Sequence, residues 1–145
     1  MSTSRLVPAA LALVLCMFTT LPMLASTEQK TPEAEVPPIP DSAKNLRNPV
    51  PRSDDSIANG KLLFSSQCTM CHGAAGDGSG DLVERLGLVM PDFTDPRSAS
   101  ARTDGELFYI LKNGHGRMPG QDDRMRESTL WDIVNYIRTL PKTEE

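Results

Sequence analysis

Apolar and polar positions divide the chain into three parts. From Leu6 to Leu24 the sequence is apolar and uncharged, with Arg5 before it and the small residue Ala25 after it. A basic start, an apolar middle and a small-residue exit are the layout of a secretory signal peptide. The run also approaches the about 20 residues that span a bilayer, so an uncleaved N-terminal membrane anchor is the alternative reading. Residues 1–25 are therefore expected to export the chain, either cleaved or retained as a membrane tether through residues 6–24. Over residues 26–53 the periodicity disappears, and Pro32, Pro37, Pro38, Pro40, Pro49 and Pro51 recur. Proline removes backbone donors and favours extended geometry, which predicts a disordered, Pro-rich linker.

From residue 54 to 145 the pattern turns helical. Ile57, Gly60, Phe64 and Cys68 share one face, predicting a first helix over Ser56–Cys71 with Asp54 or Asp55 as its cap. Thr103 and Glu106 have capping-box spacing and Asn113-Gly114 gives a stop, predicting a second helix over Asp104–Asn113. Leu130, Ile133, Val134, Ile137 and Leu140 form the apolar stripe of a third, over Ser128–Leu140, ended by Pro141. No stretch alternates with a strand's period. The long stretch Gly73–Arg102 between the first two helices has the length of a segment that wraps something.

Composition sharpens this picture. Aromatic residues make up 5% of the chain, with four Phe, two Tyr and one Trp. Aromatic side chains carry much of the buried area of small cores, so a domain this poor in them points to a large apolar cofactor. The net charge is −4, and residues 54–145 alone hold ten basic and fifteen acidic side chains. That balance excludes broad nucleic-acid binding, which needs cations to displace counterions from phosphates. Three cysteines exclude a disulfide-stapled miniprotein.

The chemistry concentrates in Cys68-Thr69-Met70-Cys71-His72. C-x-x-C-H is the attachment signature of haem c. Two thiols three residues apart on a helical turn point the same way and add across the vinyl groups on one porphyrin edge. The next residue, His72, then offers its imidazole to iron. A thiol–disulfide couple would follow a strand at a helix start, and none precedes this motif. A zinc site would need a fourth ligand that the motif lacks. Met118 is the expected second axial ligand, within Gly114-His115-Gly116-Arg117-Met118-Pro119-Gly120. The glycines let the backbone approach the ring and Pro119 stiffens the loop. His115 is the rival donor, and Arg117 is placed to pair with a haem propionate.

With these residues in order, residues 56–140 resemble the class I, monohaem c-type cytochromes. The resemblance implies an all-α domain of three main helices wrapped around one covalently attached haem. It implies a close crossing of the first and last helices at Gly60, Phe64 and Tyr136. Trp131 corresponds to a haem-packing aromatic. Pro91, in Pro91-Asp92-Phe93-Thr94, corresponds to the proline whose carbonyl accepts the proximal histidine's other ring proton, and Phe93 joins the ring's apolar surroundings. The implied function is single-electron transfer between redox partner proteins in the bacterial periplasm, with the domain soluble or anchored. The alternative is a haem subunit of a membrane oxidase or dehydrogenase complex. A peroxidase or gas-binding protein would need an exchangeable position on iron.

Overall fold

Ser53, rather than an aspartate, starts the first long helix. In the computed structural model, which describes residues 36–142, the Ser53 hydroxyl accepts from the Ser56 N–H. Asp54 and Asp55 lie inside the first turn, where their charge favours the positive end of the helix dipole. The elements in chain order are α1 (Asp41–Lys44), α2 (Asp54–Gln67), α3 (Thr69–His72), α4 (Leu82–Leu86), α5 (Pro96–Ser100), α6 (Asp104–Asn113), β1 (Gly114–His115), β2 (Met118–Pro119) and α7 (Glu127–Ile137). The expected first helix is thus two helices, broken at Cys68 (φ −114°). Cys68 sits at the break, and Cys71 and His72 sit on the short turn that follows it.

The second helix spans the expected residues, and its capping box is formed from both sides. The third ends earlier than its stripe suggests, at Ile137. Arg138 turns back there and donates from Nε to Asp104 (2.7 Å), with further bonds to the carbonyls of Ala99 and Arg102. Pro141 also disfavours helical geometry at Leu140. Leu140 still packs against the core, reached through turn bonds.

The core forms where α7 crosses α2 and α6. Leu130 and Val134 are wholly inaccessible, and Phe64, Ile133 and Ile137 nearly so. Full burial of each such side chain contributes about 1.5–3 kcal/mol. The crossing is possible because residue 60 is glycine. A Cβ there would fall 2.9 Å from the Tyr136 Cβ and closer still to the Asp132 carbonyl. Phe64 and Tyr136 meet beside it at 5.4 Å, tilted by 60°. The helix crossing implied by the resemblance is therefore present. Polar side chains lock it: Ser56 Oγ donates to Asp132 (2.6 Å), and Asn135 Nδ2 donates to Ser56 Oγ (2.9 Å).

The linker expectation needs correction over its second half. Residues 36–53 pack on the domain rather than standing apart from it. Ala43 on α1 is 2% exposed and its carbonyl abuts Gly105 of α6. Asn48 donates to the Asn135 side chain (2.8 Å), and Arg52 donates to the Arg138 carbonyl (2.8 Å). Prolines here forbid long regular elements but not burial of the short pieces between them. The expected signal or anchor, and the linker up to residue 35, lie outside the described residues. Among the described residues no helix is long and apolar enough to cross a membrane.

Candidate haem site

The α2 helix delivers the motif. The Cys68 N–H still bonds the Phe64 carbonyl (2.9 Å), and the His72 N–H then returns to the Cys68 carbonyl (2.9 Å). Both thiols therefore flank one helical turn that ends in the histidine. Cys68 packs against the core, and Cys68 and Cys71 are not disulfide-bonded. Burial, reinforced by the neighbouring Cys71, pushes the Cys68 thiol up to about 11. A thiol–disulfide catalyst needs the opposite shift, because the thiolate is the attacking species.

His72 is buried, at 8% exposure. Phe93 stacks on its imidazole at 5.2 Å and 19°, and Phe64 approaches from another side at 6.2 Å. Burial among these rings lowers the histidine below its ordinary value, which keeps the imidazole neutral, the form that ligates metal. Its Nδ1 is buried with no hydrogen-bond partner. Nδ1 is the nitrogen that the resemblance pairs with a carbonyl, so a metal would take the other ring nitrogen, Nε2. The segment after the motif folds back around His72. The Gly78 N–H bonds the His72 carbonyl (2.9 Å), and the Phe93 N–H bonds the Gly76 carbonyl (2.8 Å). The expected wrapping segment thus exists, with α4 and α5 as short helical pieces inside it. Its Asp77 carboxylate is closed onto Ser79, accepting from its N–H (3.0 Å) and Oγ (2.6 Å).

Pro91 does not play the part the resemblance implies. Its carbonyl is not bonded to His72 Nδ1, and lies instead against Gly78. Pro91 is exposed, and its carbonyl faces the turn at Gly78 rather than the buried ring. Sequence reasoning placed Phe93 only among the ring's apolar surroundings and missed its stack on the proximal histidine.

Met118 lies on β2, half-buried, and packs against the same core that Phe64 and Phe93 share with His72. The strand was not legible, because a two-residue ribbon has no measurable alternation. Its place is set by the end of α6, where the Gln121 N–H bonds the Leu111 carbonyl (2.9 Å). Arg117, next to Met118, is exposed and donates Nη1 to the Leu86 carbonyl (2.6 Å), which ties this hairpin to α4. Trp131 is buried in α7 and stacks flat on Phe108 of α6, at 4.2 Å and 5°. His72, Phe93, Met118 and Trp131 therefore border one apolar cluster, whereas Pro91 and Arg117 stand at its edge.

The donor set fits haem c. Two thiols on one turn, a neutral buried imidazole at its end, and a thioether on a separate element are what covalent attachment and two-sided ligation require.

Comparison with known proteins agrees. Thiosulfate dehydrogenase of Allochromatium vinosum is 30% identical over 96 residues, covering 63% of this chain and 33% of that protein. This chain thus spans about a third of that relative's length. Cytochrome c6 of Chlorolobion braunii is 29% identical over 87 residues, covering 56% of this chain and 86% of that protein. Among solved structures, the Kuenenia stuttgartiensis reducing HAO-like protein complex Kustc0457/Kustc0458 shares the fold, with a TM-score of 0.58 at 22% identity. That match covers 73% of this chain and 50% of the other. Residues 55–137, which contain the attachment motif and the Met118 hairpin, match the family model described as cytochrome c oxidase, cbb3-type, subunit III. The chain therefore belongs to that family of c-type cytochrome domains and carries a covalently bound haem c.

Proposed function

We propose that the domain is a single-electron carrier outside the cytoplasm, with haem held by Cys68 and Cys71 and iron ligated by His72 and Met118. The observation that carries the reading is a buried imidazole at the end of the helical turn that both thiols flank. When bound, the haem supplies a metal that cycles between ferric and ferrous states. The chain's own residues do the rest. His72 is held neutral and oriented by Phe64 and Phe93. The Met118 thioether favours the ferrous state relative to a second imidazole and raises the potential. Phe108 and Trp131 add apolar surface that excludes water. Arg117 stays free to pair with a propionate through the guanidinium nitrogens not committed to Leu86.

The ten basic and fifteen acidic residues of 54–145 favour docking on basic redox partners, at rates that fall as salt rises. The first 25 residues serve export to the periplasm, as a cleaved signal or a tether. The absorption spectrum of the oxidised holoprotein tests the ligation. A weak red sulfur-to-iron charge-transfer band that disappears in Met118→Ala is expected, and its absence from the unaltered protein would overturn the assignment.

The family's printed description favours a second reading, in which the domain is a haem subunit of a membrane oxidase complex. Purification of the full chain from membranes separates the two. A stable complex with integral membrane subunits supports the second reading, and a lone soluble cytochrome supports the first.

A further inference from the structure

The hairpin that carries Met118 carries a second donor. β1 and β2 pair antiparallel, with Gly114 opposite Pro119 and His115 opposite Met118. Directly opposed residues of an antiparallel pair project to one face, with Cβ atoms about 4.5–5.5 Å apart. Local chemistry sets this register. Gly116, at φ +58°, takes the first central position of the two-residue turn, where a tight hairpin favours glycine. His115 and Met118 are both half-buried, and both line one groove of about 330 Å³ with Tyr109. The chain has two histidines. One belongs to the attachment motif, and the other is the residue opposed to Met118.

We propose that His115 is a reserve axial ligand, whose imidazole takes the iron position whenever the Met118 thioether leaves it. The proposal rests on the His72/Met118 reading above. A pair of donors opposed across so short a ribbon needs only a small movement of the hairpin to exchange. Imidazole binds both ferric and ferrous iron, so the exchange keeps the metal six-coordinate. It also lowers the potential, because the thioether is the ligand that raises it. A carrier that loses its methionine thus becomes a weaker oxidant instead of an open site for small ligands.

The test uses full-chain holoprotein carrying Met118→Leu or Met118→Ala, each alone and combined with His115→Ala. Leucine keeps the bulk of the hairpin if alanine loosens it, and circular dichroism reports folding in each case. Both Met118 variants are expected to lose the red band yet stay low-spin, with the electron paramagnetic resonance signature of two imidazoles. Adding His115→Ala should turn them high-spin and open them to rapid carbon monoxide binding. High-spin iron in the Met118 variants with His115 present overturns the proposal, as does a low-spin state that survives His115→Ala. Failure of the underlying reading shows separately, as an unaltered holoprotein without the red band.

Discussion

Replacing Gly60 with alanine isolates the contact on which the helix crossing depends. The new methyl would fall 2.6 Å from the Asp132 carbonyl carbon and 2.9 Å from the Tyr136 Cβ. Neither neighbour is a flexible side-chain end, so α2 and α7 must separate by roughly 0.5–1 Å, a gap at which each atomic contact forfeits a quarter to a half of its attraction. Overpacking of this kind costs about 1–3 kcal/mol. Against it stands the gain from replacing glycine inside a helix, about 1 kcal/mol. The clash falls on backbone at the centre of the interface, so the upper part of the range applies and the net loss is about 2 kcal/mol. For a domain of this size that lowers the melting temperature by roughly 10 °C. Thermal unfolding of the holoprotein, followed by far-ultraviolet circular dichroism, measures it. A Gly60→Ala protein as stable as the original would refute the close crossing and the account of why residue 60 is glycine.

Three further outcomes are expected. Cys68→Ala combined with Cys71→Ala should remove the tetrapyrrole mass seen by mass spectrometry and leave the domain largely unfolded by circular dichroism, since the aromatic-poor core is completed by the ring; native helicity in that variant would contradict this. Glu106 is buried and held below the usual carboxylate range, first by the Thr103 N–H and against its own desolvation, with help from Arg102. A lowered carboxyl contributes stability that is complete above its unfolded value and fades as pH falls through the folded one, so Glu106→Gln should flatten the acid limb of a denaturation series below the usual carboxylate value. Gly105→Ala would drive a methyl into the Ala43 carbonyl and to 2.7 Å from the Leu46 Cβ, so limited proteolysis should cut within residues 36–47 faster while the haem spectrum stays unchanged.

The cofactor and its attachment were legible in the chain itself, because C-x-x-C-H is a local requirement: covalent chemistry on one ring edge needs its thiols and imidazole on one turn. The α6 helix was legible for the same reason, since a capping box and an Asn-Gly stop act on neighbouring residues. The stripe of α7 was readable, but its end was not, because Arg138 stops it through bonds to residues more than thirty positions away. Long-range packing also decided that residues 36–53 lie on the domain, for nothing local in a proline-rich segment announces that Ala43 meets Gly105 or that Asn48 meets Asn135. The surroundings of His72 belong to the same class. Phe93 stacks on it, and the Pro91 carbonyl is held away from its orphaned nitrogen. Chain-local chemistry thus named the cofactor, while contacts between distant segments decided what surrounds it, because a side chain's neighbours in space are not its neighbours in sequence.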